Sequence, residues 1–321
     1  MSKTLPRLLR REQLAFLARD HSAWGGHLDR VRAFLGEGLQ AADPTRPVLI
    51  LGAGSGLEVP WALAPPDTTG WDVDPWSRCW TALRHRRWAP WVFEDLTGGL
   101  QGLEDLAARA LAEPWSGRRR PPGQAAQRLA GLLPSLDPEP AALRAWIAAR
   151  RPGTILSANV MGQLGVVAEH LLEARFGGPP WNPDPEEADP LAEAVEAWTA
   201  KVLAAHLAVL GASGAELWLV YDRAVLFTEA PLRLGGWASP WTRQVQGAEG
   251  VEASDPLAGL DVASTLAGTG RTPCRQERWL WPVGPEQQHV VEAQAFRSPG
   301  GGPDFPVATV NPCPRAQPQQ P

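Results

Sequence analysis

Four apolar residues in a row, Val48, Leu49, Ile50 and Leu51, run straight into a turn with glycine at positions 52, 54 and 56. An unbroken apolar run of this length suits a strand covered on both faces, as in a parallel sheet. Glycine at three alternate positions lets the backbone bend sharply and lie against a ligand with no Cβ in the way. The chain is thereby directed toward an open α/β architecture, in which ligands sit outside the carboxyl ends of the strands.

Two later segments repeat the pattern of a strand ending in an acid. Residues 69–74 place Asp72 at the tip of a second strand, where a carboxylate accepts the hydroxyls of a ribose in dinucleotide-binding folds; Asp74 follows two residues on. Residues 91–96 form a third short strand ending in Asp95, placed to accept a hydrogen bond from an exocyclic amine such as that of adenine.

On the turn at Gly52, Gly54 and Gly56, Asp72 and Asp95, the chain resembles the class I S-adenosylmethionine-dependent methyltransferases. Residues 153–164 extend the likeness, with an apolar strand passing into the polar loop Ser157, Ala158 and Asn159. In many amino-methylating members an Asn or Asp here is followed by Pro-Pro-aromatic, whereas this chain has Val160, Met161 and Gly162. The likeness covers residues 46–225 and extends more loosely to 297. It implies a Rossmann-like methyltransferase fold: a mainly parallel seven-stranded sheet closed by an antiparallel hairpin. It also implies S-adenosylmethionine as cofactor. Gly52, Gly54 and Gly56 would cradle its methionine part, Asp72 the ribose and Asp95 the adenine. Ser157 and Asn159 would stand at the reacting end, with Asn159 orienting the acceptor, a small molecule or a protein.

Three other readings stay open, one of them an enzyme of this same fold that uses the aminopropyl arm of the cofactor instead of its methyl. An NAD(P)-binding oxidoreductase also uses glycines after strand one and an acid after strand two, but its fingerprint wants a further glycine where this chain has Leu57. A non-catalytic protein could keep the same fold. The net charge of −5 gives no general basic footprint, so nucleic acid is not the expected partner. Of 30 Lys and Arg residues only Lys3 and Lys201 are lysines, a bias of composition rather than a phosphate-binding design. Cys79, Cys274 and Cys313 lie far apart with no CxxC pair, and the six histidines are dispersed, so neither a disulfide framework nor a metal site is expected. No apolar run suggests a membrane span or a signal core, and the expected location is the cytoplasm.

Along the chain, residues 1–45 read as an N-terminal helical cap with a break at Gly25 and Gly26. His21, Trp24 and His27 are spaced by three within it, and His21 is a candidate general base or polar anchor over the cleft. Residues 46–297 form the α/β domain. A helix is expected to begin at 58–63 with Pro60 in its first turn, others at 76–88, 163–176 and 188–210, and the fifth strand at 215–223. Residues 113–140, rich in proline, read as an insertion or long crossover. Segments 277–283 and 289–296 form the closing hairpin, and 298–321 is a Pro-rich tail expected to be disordered. Asp222 and Arg223 end the fifth strand, either touching substrate or pairing with each other. Of the sixteen tryptophans, those at 61, 76, 80, 88, 146, 198 and 218 are expected in the core. Trp24, Trp181, Trp237 and Trp241 are candidate ligand contacts.

Overall fold

β1 (Val48–Leu51) is buried at every residue. Leu49 and Leu51 face one apolar layer, Val48 and Ile50 the other, as the two-sided apolar run requires. The computed structural model of the chain describes residues 24–112, 123–177, 189–228, 251–284 and 287–298. In it, β1 lies between β2 (Thr68–Trp71) and β4 (Thr154–Ala158). With β3 (Trp91–Val92), β5 (Glu216–Thr228), β7 (Pro273–Pro282) and β8 (Gln287–Phe296), the strand order is β3-β2-β1-β4-β5-β8-β7. The first five strands are parallel, while β8 runs antiparallel to both β5 and β7. This is a Rossmann-like α/β sheet ending in the expected hairpin. An eighth strand was not foreseen: β6 (Val251–Ser254) pairs with the far end of β5, at residues 225–228.

Helices cover both faces. α1 (Gly25–Ala41) lies on the face of Val48, Ile50, Trp218, Trp279 and Trp281. The opposite layer is built by α3 (Leu100–Ala112), α4 (Gln124–Leu132), α5 (Ala141–Arg150), α6 (Met161–Phe176) and α7 (Pro190–Gly211), with α8 (Val262–Ala267) at its margin. α2 (Trp76–His85) connects β2 to β3. α7 is long and apolar enough to cross a membrane by length and composition, contrary to the expectation from sequence. Here Leu191, Val195, Trp198, Val202, Leu203, Leu207 and Leu210 bury it as a core helix.

α7 is closed at both ends by side chains. The Asp189 carboxylate accepts from the amides of Leu191 and Ala192, supplying acceptors that the first turn of a helix lacks. At the other end the buried Arg271 donates to the carbonyls of Leu210, Gly211 and Ala215, to that of Arg297, and to the Ser213 hydroxyl.

One expectation about the crossovers needs correction. No α-helix follows the glycine turn: residues 61–63 make a single 3-10 turn, and β2 begins at Thr68. Pro60, Pro65 and Pro66 leave too little room for a helix that must also keep its amide donors. Of the Pro-rich stretch 113–140, the described residues 123–140 hold α4 and a 3-10 turn at Leu133–Ser135, and α5 begins directly after them at Ala141. Trp76 and Trp88 are 45% and 64% exposed rather than core, and Trp24 is 1% exposed and packs inside. Trp181, Trp237, Trp241 and the 298–321 tail lie outside the described residues, apart from 298.

Candidate functional site

The glycine turn sits at the seam between β1 and β4, and the packing there explains the residue type. Gly52 has φ +63°, and a Cβ on it would collide with the Val160 side chain and meet the Ala158 carbonyl at 2.9 Å. Gly54 and Gly56 also have positive φ, at +47° and +72°. Two side chains hold the outer carbonyls of the turn. Arg32 Nε of α1 donates to Leu57 O at 2.7 Å, and His85 Nε2 of α2 lies 2.8 Å from Gly56 O.

Asp72 closes the turn from the second strand. Its Oδ2 accepts from the Gly54 amide at 2.8 Å and its Oδ1 from the Asp74 amide at 2.9 Å. Burial nevertheless outweighs these bonds and pushes the carboxyl up to about 6. Asp74 faces elsewhere, its Oδ1 accepting from the Trp76 amide at the start of α2. On an extended strand a spacing of two would put both acids on one face; the strand ends at Trp71, and the bend that follows takes Asp74 to the start of α2.

Asp95 is a helix cap in this structure. Its carboxylate accepts from the amides of Thr97, Gly99 and Leu100 and from the Thr97 hydroxyl, at 2.8 to 3.2 Å. These bonds order the entry to α3 and occupy both oxygens. Ser157 does not line the cleft: it is fully buried and in register with Leu51 and Leu219, on the face covered by the long helices. The side-chain alternation of β4 sends that hydroxyl into the core. His21 lies outside the described residues.

Asn159 follows β4 with φ +52°, a conformation that Asn tolerates better than most residues. Its side chain is turned to β5: Oδ1 accepts from the Asp222 amide at 3.1 Å, and Nδ2 donates to Asp222 Oδ2 at 3.2 Å. His289 Nδ1, on β8, lies 3.0 Å from the same Oδ2, within ion-pair distance although not in line for a hydrogen bond. The Gln287 amide nitrogen lies 2.9 Å from His289 Nε2. Asp222 and Arg223 do not pair with each other, since Arg223 reaches Asp255 at 3.1 Å.

An aromatic wall completes the edge. His27 of α1 stacks on Trp281, with ring centroids 3.9 Å apart, and Trp281 meets both Trp24 and His289 edge-on. His27 Nδ1 accepts from Trp279 Nε1 at 3.1 Å, and its Nε2 lies 3.4 Å from Glu58, just beyond the glycine turn. Of the spaced trio His21, Trp24 and His27, the described members Trp24 and His27 both join this wall. The Asp222–His289 contact escaped notice because it depends on a β-bulge in the β5–β8 register.

Among the described residues no group of three or more His, Cys, Asp or Glu side chains could hold a metal ion. Asp72 is bonded to the turn through the Gly54 amide, and Glu58 follows the turn two residues after Gly56.

No family model and no curated protein matches the chain. Among solved structures, one match is a protein assigned as an RNA methyltransferase from Pyrococcus horikoshii. It has 9% identity and a TM-score of 0.33, with 93% of this chain and 98% of that one covered. Another is the sugar N-methyltransferase KedS8 from Streptoalloteichus sp, with 13% identity and a TM-score of 0.33, covering 89% of this chain and 92% of that one. Likenesses at this level transfer neither an acceptor nor an activity to the chain.

Proposed function

We propose that the chain binds S-adenosylmethionine at the carboxyl edge of β1, β2 and β4 and directs methyl transfer to a small-molecule or protein acceptor. The observation that carries this reading is the charge of the glycine turn. A dinucleotide pyrophosphate is ordinarily held at the N-terminus of the helix following β1. Here that helix is replaced by a 3-10 turn, the Gly54 amide is already taken by the Asp72 carboxylate, Glu58 follows the turn, and the nearby cation Arg32 is engaged by the Leu57 carbonyl. Such a site disfavours two phosphates and suits a sulfonium and an ammonium group.

In this reading Asp72 accepts the ribose hydroxyls, and the glycine turn lies along the methionine part. Asp95 already serves α3, so an adenine contact there would add to a saturated carboxylate and belongs to the loop's backbone more than to its oxygens. When bound, the sulfonium supplies an electrophilic methyl carbon. The residue after β4, Asn159, and Asp222 in the middle of β5 orient the acceptor for in-line attack, which removes much of the entropic barrier.

The test is ligand binding by calorimetry and thermal shift. S-adenosylhomocysteine should bind and raise the melting temperature, since a ligand selective for the folded state stabilises it by mass action. NAD and NADP should give no comparable shift. A larger shift with NAD than with S-adenosylhomocysteine would reverse the assignment.

A further inference from the structure

The geometry points to Asp222 and His289 as the pair that takes a proton from the methyl acceptor, held in position by Asn159. This inference rests on the methyl-donor reading above and adds to it the acceptor class: a nucleophile that must shed a proton, a hydroxyl or an amine.

The tautomer follows from donor chemistry. An amide nitrogen can only donate, so His289 Nε2 accepts from Gln287 and its ring proton resides on Nδ1, toward Asp222. Asp222 is 2% exposed, and its Oδ2 is met by His289 and by the Asn159 amide. Oδ1 is buried with no hydrogen-bond partner among the described residues, a costly state unless a ligand or a proton completes it. The carboxylate also stands at the first turn of α6: a Cβ on Gly162 would meet Asp222 Cβ at 3.2 Å. His289, less buried than Asp222, is the member of the pair that an acceptor reaches first, displacing the Gln287 amide.

The site lies next to the donor cradle. Asn159 precedes Val160, whose side chain fills the space beside Gly52. In the step assigned, the acceptor lone pair forms the bond to the methyl carbon. The carbon–sulfur bond breaks and its electron pair returns to sulfur. The acceptor proton passes to His289 Nε2, and the resulting imidazolium is stabilised by the Asp222 carboxylate. An acceptor already lacking a proton, such as a tertiary amine, would have no use for the pair.

The test compares S-adenosylhomocysteine with sinefungin, which carries an amine-bearing carbon where the methyl-bearing sulfur stands. That ammonium donates toward whatever acceptors face the reacting end. The full chain should bind sinefungin about tenfold more tightly than S-adenosylhomocysteine, the worth of one charge-assisted hydrogen bond. Asp222→Asn and His289→Phe should each abolish that preference while changing S-adenosylhomocysteine affinity less than about twofold. His289→Phe keeps the edge-on contact with Trp281 and decides the matter if Asp222→Asn does not fold. An unchanged preference in variants that bind S-adenosylhomocysteine normally overturns the pair and leaves the donor reading intact. Failure of the unmodified chain to bind either compound overturns both.

Discussion

Asp72 shows how a single carboxyl can report on ligand and pH together. Its folded pKa of about 6 lies above the unfolded value near 4. Its contribution to stability is therefore present below pH about 4 and lost as the pH rises through about 6. Hydroxyl donors from a ribose favour the charged form, so binding releases a proton near pH 5. Affinity for S-adenosylhomocysteine should rise by about tenfold between pH 5 and pH 7. Calorimetry of Asp72→Asn should show that slope removed and binding weakened more than in Asp74→Asn, because Asp74 serves α2. Equal losses would place the ribose contact on Asp74. Gly52→Ala tests the cradle itself: a methyl group there meets Val160 and Ala158, and binding should fall with little recovery on raising ligand concentration.

Among the elements, α7 depends most on individual polar side chains. Arg271 is 1% exposed and answers the carbonyls that the end of this helix leaves without partners. Arg271→Leu should destabilise by roughly 3–5 kcal/mol in denaturant unfolding, because several buried acceptors lose their donor together. Arg271→Lys should recover little, since an ammonium cannot span acceptors set in a planar fork. His206, fully buried on the same helix, has its pKa depressed to about 4 by desolvation. Its contribution is present above pH about 6.5 and lost as the pH falls through about 4, a swing of roughly 3 kcal/mol. His206→Leu should therefore flatten the acid limb of the stability curve. How legible such elements were in the sequence depended on range. The closing hairpin and α6 announced themselves through alternation and helical spacing, which are local. A helix after the glycine turn could not be separated from a 3-10 turn, because six residues carry too little periodicity to decide. The Asp222–His289 contact was illegible altogether, since a bulge resets the register of two strands distant in sequence.

At the scale of the molecule, the earliest described helix is tied to the last hairpin. His27 and Trp24 both rest on Trp281, and Trp279 donates to His27. Trp281→Ala should cost about 3–5 kcal/mol. Hydrogen exchange should locate the loss in α1, leaving protection of β1 and β4 largely intact. The same long-range construction governs how the cradle comes into being. β1 has β2 beside it early, but its other edge waits for β4, with Val48 meeting Thr154 and Leu51 meeting Ser157. During synthesis the glycine turn is thus made long before the residues that pack against Gly52 have left the ribosome. Until they arrive, β1 is an uncovered apolar edge, the kind of segment that pairs with strangers. Refolding should be slow for the size of the chain, and the capacity to hold an adenosine ligand should be gained late, in step with closure of the β1–β4 seam.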